Sequence, residues 1–237
     1  MHDTHLPHTP HSEEHFQQSE IIRDIVIGMA DGLTVPFALA AGLSGAVDSN
    51  AIVITAGIAE IAAGSIAMGL GGYLAGKTEI EHYDSELKRE YHEVEHFYEK
   101  EKEEVREVFA AYGLSRQTQD IIADEMSKDK DKWVDFMMKY ELGLEKPDAK
   151  RARNSALNIG IAYVVGGIVP LSAYFFTQHP HDGLFYSSVI TIICLMTFGY
   201  FKAKYTGQPA VSGAAKTTAI GIVAAAAAYF IANLIQI

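Results

Sequence analysis

The sequence predicts an all-α, polytopic membrane protein with five transmembrane helices and a helical domain inserted between the second and third. Five apolar runs are almost free of charge, and each is long enough to cross a bilayer, for which about 20 apolar residues suffice. Most charged residues lie instead between Lys77 and Arg153, so the mean hydropathy of +0.06 averages two unlike parts. The predicted spans are residues 21–46, 51–76, 154–177, 183–203 and 212–236.

The lysines and arginines predict how these spans are oriented. Basic residues flank the start of the first span, the end of the second, the start of the third and the link between the fourth and fifth. The loops at 47–50 and 178–183 and the C-terminal tail carry none. Because basic loops stay cytosolic, we expect a cytosolic N-terminus and inserted block, and a C-terminus on the far side. The host membrane is left open between a cell inner or plasma membrane and a vacuole-type membrane.

The composition narrows the range of functions. The net charge is −11, and the excess acid lies in the inserted block, so no basic patch predicts nucleic-acid binding. Cys194 is the single cysteine and lies in an apolar run, which excludes a disulfide framework or a thiolate metal site. Residues 1–20 form a His-rich polar tail unlike a signal peptide. The spans then occupy 21–76 and 151–237, with the acidic domain at 77–150.

The first span carries a carboxylate where a bilayer tolerates one poorly. Counted from Ile21, Asp31 lies roughly 15 Å into the helix, near the bilayer midplane. An acid there costs a few kcal/mol unless it meets a partner, a proton or a cation. Pro36 removes a helix hydrogen bond and can expose carbonyls of the preceding turn. We interpret this as a cation-transport site; the alternative is a kinked helix whose Asp31 bonds a neighbouring helix.

The second span adds an acid and a thioether to a surface of small residues. Glu60 is again near mid-depth, and Met68 lies on a neighbouring face of the helix. A thioether suits a transition metal rather than Mg²⁺ or Ca²⁺, although Met68 also fits a packing role. The alanines and glycines of this span favour close helix packing, including packing across a dimer. Other polar residues that could line a path are Asp24, Asn158, Tyr163 and Tyr174.

The acidic block opens with a long predicted helix, which no proline or glycine interrupts before Gly113. Two Glu pairs at i, i+3 spacing recur 11 residues apart in it, at Glu90, Glu93, Glu101 and Glu104. A continuous helix would align all four carboxylates in one stripe, whereas a break would let the two pairs fold toward each other. Either arrangement gathers hard oxygen ligands that repel one another without a cation. The alternative is a solvated helix whose lysines and arginines compensate the charge.

Further features of the block extend this prediction. Glu-x-x-His spacing occurs at Glu79–His82 and Glu93–His96, as in di-iron bundles, but such bundles need more long helices than are available here. Ser115 resembles a helix cap, and a later helix ends near Gly143. Met137 and Glu141 are four residues apart on that helix and share a face, so they offer a sulfur and an oxygen to the same cluster, although Met137 also fits the core.

Four stretches resemble the vacuolar iron transporter family, and the similarity extends from about Arg23 to the end of the chain. They are Asp31-Gly-Leu-Thr-Val-Pro36-Phe-Ala-Leu-Ala-Ala-Gly42, Ala59-Glu60-Ile-Ala-Ala-Gly64, Met68-Gly-Leu-Gly-Gly-Tyr73-Leu-Ala, and the segment from Trp133 through Phe136-Met137-Met138 to Glu141-Leu-Gly-Leu-Glu145-Lys-Pro147. One departure is Phe97-Tyr98-Glu99, where relatives often carry a proline before the second glutamate pair.

The resemblance implies a homodimeric transporter that exports Fe²⁺ from the cytosol in exchange for protons, with Mn²⁺ or Co²⁺ as further substrates. By similarity, Asp31, Glu60 and Met68 match the translocation path. The cytosolic metal ligands implied by the family are Glu90, Glu93, Glu101, Glu104, Met137 and Glu141. Two other hypotheses stand beside this one: a membrane-anchored ferroxidase, and a metal-sensing domain on an inert anchor.

Overall fold

The computed structural model describes residues 12–235, with side chains from residue 20 onward, and the regular elements of this part of the chain are all helical. Most of the predicted N-terminal tail, including His2, His5, His8 and His11, lies outside the described residues. The helices are α1 Ser12–Ala46, α2 Asn50–His96, α3 Tyr98–Ala111, α4 Arg116–Met126, α5 Lys130–Phe136, α6 Arg151–Ser172, α7 Pro180–Tyr205 and α8 Ala210–Ile235.

The chain divides into two compact units. The bundle unit runs to Tyr73 and resumes at Arg153, whereas the inserted unit is Leu74–Ala152. The five predicted spans are confirmed as helices long and apolar enough to cross a membrane. These helices are Glu20–Ala46, Asn50–His96, Arg151–Phe175, Pro180–Tyr205 and Ala210–Ile235.

Glycines let α1 and α6 pack side by side in the bundle unit. Gly28 lies against Ile159 and Gly32 against Tyr163, so both helices advance together and are parallel. A Cβ added at Gly32 would lie 2.4 Å from the Tyr163 carbonyl oxygen, closer than any side chain can approach. Only a residue without a side chain permits this approach.

The remaining helices of the bundle alternate in direction around this pair. α2 runs antiparallel to α6, since Gly57 meets Leu171 while Gly72 meets Ile159. α8 runs parallel to α1, with Gly42 against Ala228, and α7 runs antiparallel to α8. The starts of α1, α6 and α8 therefore lie at one end of the bundle. Their basic residues, Arg23, Arg153 and Lys216, share that end, as the charge pattern requires.

The inserted unit folds around an apolar core. Its centre is formed by fully buried Val105, Trp133, Val134, Met137 and Met138. Ser115 caps α4 as expected, accepting a hydrogen bond from the Thr118 amide at 3.4 Å.

The long acidic helix is interrupted, which resolves a question that the sequence left open. Of the two alternatives, a continuous helix and a break between the glutamate pairs, the structure has the break, because α2 ends at His96 and α3 begins at Tyr98. Phe97, at φ −123° and ψ 35°, leaves helical geometry. Its carbonyl accepts the Lys100 amide at 2.9 Å and so begins α3. Neither proline nor glycine marks this break; the Tyr98 ring packs edge-on against Trp133 at 5.2 Å just beyond it.

We expect Gly32→Ala to destabilise the protein by about 1–3 kcal/mol, because the added methyl overpacks the contact with α6. The matched control is Gly71→Ala, since a Cβ at Gly71 meets nothing within 4 Å. That control should be neutral or slightly stabilising, as alanine is the better helix former by about 1 kcal/mol. Thermal unfolding in detergent, followed by circular dichroism, measures both. Equal unfolding temperatures for the two variants would contradict the packing described here.

Candidate metal centre

Three carboxylates from different elements meet in the inserted unit. Glu90 lies on α2, Glu101 on α3, and Glu141 ends the π turn Met137–Glu141 that continues α5. One oxygen from each lies within 4.8 Å of the others. The break at Phe97 makes this possible, because in one continuous helix the eleven residues from Glu90 to Glu101 would span about 16 Å. We call Glu90, Glu101 and Glu141 the carboxylate centre.

Two members of the carboxylate centre are buried without donors. Glu90 is 1% exposed and Glu101 is 0% exposed. Within the described residues, Glu90 Oε2 and both carboxylate oxygens of Glu101 lack a hydrogen-bond donor. Glu104 is close enough to share a hydrogen bond with Glu101, but two carboxylates can do so only if one holds a proton. Buried charges are normally paired or bound to a metal, so these oxygens are suited to take up a proton or a cation.

The rim of the centre holds both signs of charge. Glu93 and Glu104 add negative charge that acts on the centre. Lys100 Nζ lies 2.7 Å from Glu104 and 3.7 Å from Glu101, and Arg89 lies 4.0 Å from Glu90. These two cations do not balance five carboxylates, so the cluster keeps an excess of negative charge. All five glutamates predicted from the sequence therefore lie close enough for their charges to interact.

Burial and mutual repulsion raise the pKa values of the centre. Burial, followed by the charges of Glu141 and Glu93, raises the pKa of Glu90 to about 7. Burial and then the charge of Glu104 raise the pKa of Glu101 to about 8. The pKa of Glu141 is raised chiefly by burial and next by Glu104. Near neutral pH, the centre can thus hold protons that a divalent cation would displace.

A widened turn brings Glu141 to the centre. The Leu142 amide donates to the Met137 carbonyl at 3.1 Å, five residues back, which is the hydrogen bond of a π turn. The sequence predicted an ordinary helix here, and no residue in it signals the wider turn. The Met137 side chain is completely buried and packs in the apolar core. Its role as a sulfur ligand stays a prediction.

The bundle unit places Asp31 and Glu60 around one tyrosine. The Tyr163 hydroxyl donates a short hydrogen bond to Glu60, whose second oxygen, Oε2, is buried without a partner among the described residues. Asp31 is half-buried and close enough to Tyr163 for their charges to interact. Among residues 20–235, no lysine or arginine pairs with Asp31, and its carboxylate makes no hydrogen bond.

Tyr163 joins the two acids, a role that its sequence position did not reveal. Its backbone packs against Gly32, beside Asp31, and its hydroxyl lies next to Gly64, one turn from Glu60. Tyr163 was predicted only as one of several polar residues that could line a path. Met68 is half-buried on α2 and is not part of this contact set.

Comparisons with known proteins give concordant results. The sequence profile of the VIT family matches residues 22–233. The chain is 52% identical over 226 residues to a protein named vacuolar iron transporter 1 from Arabidopsis thaliana, covering 95% of this chain and 90% of the relative. It is 49% identical to a protein of the same name from Tulipa gesneriana, covering 95% and 92%. Protein CCC1 from Saccharomyces cerevisiae is 38% identical, covering 91% of this chain and 69% of the relative.

We expect the metal-free inserted unit to lose stability as the pH rises from 5.5 to 8. The folded-state pKa values of about 7 for Glu90 and about 8 for Glu101 exceed the ordinary value of 4.5. The folded state therefore binds protons more tightly than the unfolded chain. This stabilisation is complete below about pH 4.5 and is lost as the pH passes through about 8.

Fluorescence of Trp133, the only tryptophan and a core residue of this unit, reports its unfolding in the full chain with chelator present. The unfolding midpoint should be at least about 4 °C lower at pH 8 than at pH 5.5, since about 1 kcal/mol shifts so small a unit by about 4–8 °C. Glu101→Gln should reduce this difference. If the unfolding midpoint of Glu101→Gln depends on pH as strongly as that of the unaltered chain, or in the opposite direction, the pH dependence does not arise from Glu101.

Proposed function

The chain belongs to the VIT family, and from that premise we propose that it transports Fe²⁺ across a membrane, with Mn²⁺ and Co²⁺ as further candidate substrates. The names of its relatives are those of transporters, so the chain is a transporter and not an enzyme. Its five apolar helices make it a multi-pass membrane protein. The single observation that supports a divalent-cation substrate most directly is the pair of buried carboxylates, Glu90 and Glu101, without donors.

The inserted unit captures the ion in this proposal. Carboxylate oxygens are hard ligands that bind divalent cations. A cation in the carboxylate centre would supply positive charge that balances Glu90 and Glu101. The negative charges of Glu93 and Glu104 would attract the cation further. Met137 would add a soft ligand that favours a transition metal over Mg²⁺. The unit is cytosolic in this proposal, in agreement with the basic residues that share one end of the bundle.

The bundle unit moves the ion in exchange for protons. Asp31 and Glu60 flank Tyr163, and each keeps a carboxylate oxygen that no donor in the described residues satisfies. A carboxylate cannot readily hold a proton and a metal ion together, so the two compete for one site. Protons that return down their gradient would release the ion on the far side. Met68 and a partner subunit of a homodimer would complete the path.

The two other hypotheses receive less support. A ferroxidase would be an enzyme, whereas the relatives carry transporter names. The Glu-x-x-His pairs that suggested it contribute only Glu93 to the cluster, and both His82 and His96 are exposed. A metal sensor on an inert anchor would not need unpaired acids within its spans, but Asp31 and Glu60 lie there.

We expect Glu101→Gln to weaken binding of Fe²⁺ or Co²⁺ to the full chain by at least about 10-fold, because it removes a buried ligand oxygen and its charge. Glu107→Gln is the matched control, since Glu107 is exposed on the same helix. This variant should bind the metal ion as tightly as the unaltered chain does. Isothermal titration calorimetry in detergent measures both. Unchanged affinity in Glu101→Gln would remove the carboxylate centre from the proposal.

We expect Asp31→Asn to abolish Fe²⁺ flux in proteoliposomes with an imposed pH gradient, while metal binding to the inserted unit persists. The amide keeps the shape of the side chain but cannot exchange a proton for a cation. Asp48→Asn, in the exposed link between α1 and α2, is the control and should transport normally. Flux at the original rate in Asp31→Asn would show that the path runs elsewhere. Flux that ignores the pH gradient in the unaltered chain would contradict proton exchange.

A further inference from the structure

A second set of metal-ligating side chains lies on the surface of α2. His92 and His96 are both exposed in the last turns of this helix, four residues apart, so they share one face. Their imidazole rings stack with centroids 4.0 Å apart and planes inclined by 28°. Neither residue belongs to the carboxylate centre.

A hydrogen bond orients His96 as a ligand. Its Nδ1 lies 2.8 Å from the backbone carbonyl oxygen of His92. A carbonyl oxygen can only accept, so Nδ1 carries the proton in this contact and Nε2 keeps a free lone pair. Metal-binding histidines usually donate their other N–H to a carbonyl or carboxylate in this way. The backbone of α2 therefore sets the tautomer that coordination requires.

The spacing of these residues matches that of zinc-binding helices. His92-Glu93-Val94-Glu95-His96 has the H-E-x-x-H pattern, in which both histidines on one helix face bind a metal ion. In hydrolases with this pattern, the glutamate after the first histidine acts as a base. Here Glu93 acts on the carboxylate centre and lies 3.8 Å from Arg89, so the pattern retains only its metal-binding part.

We propose that His92 and His96 form a bis-imidazole site for one borderline divalent transition ion, such as Zn²⁺, Co²⁺, Ni²⁺ or Cu²⁺, separate from the carboxylate centre. Metal–nitrogen bonds are about 2 Å long, so two nitrogens on one ion lie about 3 Å apart. The ring centroids lie 4.0 Å apart, so rotation about the side-chain torsions can bring one nitrogen of each ring to that separation. Glu95 does not compete with the two histidines for the metal ion, because its carboxylate forms an ion pair with Lys130. The remaining coordination positions are open to water, which makes the ion exchangeable.

This site adds a selectivity that oxygen ligands lack. Imidazole favours transition metals over Mg²⁺ and Ca²⁺, whereas carboxylates accept all of them. Glu93 lies three residues before His96 on α2 and so borders both sites. His92 and His96 would raise the local concentration of transition-metal ions beside the carboxylate centre. That consequence rests on the proposed function, but metal binding by the pair does not.

Binding of the probe Cu²⁺–iminodiacetate tests the site, because this complex leaves positions for two imidazoles and binds weakly to one. The starting protein is the full chain with its five N-terminal histidines, His2, His5, His8, His11 and His15, replaced by glutamine. Electron paramagnetic resonance should show one bound Cu²⁺ with two equatorial imidazoles per chain. H92Q/H96Q should lose this signal, and either single substitution should weaken binding at least 10-fold.

Two controls separate this inference from the proposed function. H179Q/H181Q removes an exposed pair two residues apart and should keep the signal, as should Glu101→Gln. Trp133 fluorescence verifies that each variant is folded. A signal retained in H92Q/H96Q, or lost in Glu101→Gln, overturns the bis-imidazole site. Absence of Fe²⁺ flux in the unaltered chain would overturn the proposed function and leave the Cu²⁺ result standing.

Discussion

The structure of the inserted unit depends on the burial of carboxylates that neighbouring cations only partly neutralise. Glu90 and Glu101 are almost completely enclosed, yet the nearest groups to Glu101 include another acid, Glu104. Such an arrangement is unfavourable for a metal-free protein at neutral pH, because two cations do not balance five acids and a charge without full compensation is costly to bury. Protons relieve part of this cost, and a divalent cation would relieve more. In the proposed function, the captured ion supplies the positive charge that balances these acids.

The bundle unit also contains carboxylates without a fixed neutralising partner among the described side chains, but only two of them, Asp31 and Glu60. Glycines bring α1 and α6 together at Gly28 and Gly32, so Tyr163 lies close to Asp31 on one side and Glu60 on the other. One tyrosine hydroxyl satisfies a single oxygen of Glu60. The acids are thus held in place by packing and not neutralised by a fixed basic residue among the described side chains. This is the condition under which a carboxylate can exchange a proton for a cation.

The two units use carboxylates at different depths of burial and with different neighbours. In the inserted unit, Arg89 and Lys100 lie at the rim and moderate the repulsion among five acids. In the bundle unit, the environment is apolar and the acids are fewer. A capture site needs affinity, which a cluster of charges provides, whereas a transport path needs release, which isolated acids allow through protonation. In the proposed function, the division of the chain into two units would separate these two requirements.

The sequence by itself determined the all-α class, the five apolar helices and the identity of the acids, because hydropathy and charge spacing are local properties. The i, i+3 repeats of Glu90, Glu93, Glu101 and Glu104 predict a group of carboxylates but do not specify its geometry. Only the tertiary structure decided that α2 breaks at Phe97 and that Glu141 reaches the centre through a π turn. It also placed the Tyr163 hydroxyl on Glu60. These features carry no local signal, since they arise from packing between segments distant in the chain, such as Tyr98 on Trp133 and Gly32 on Tyr163.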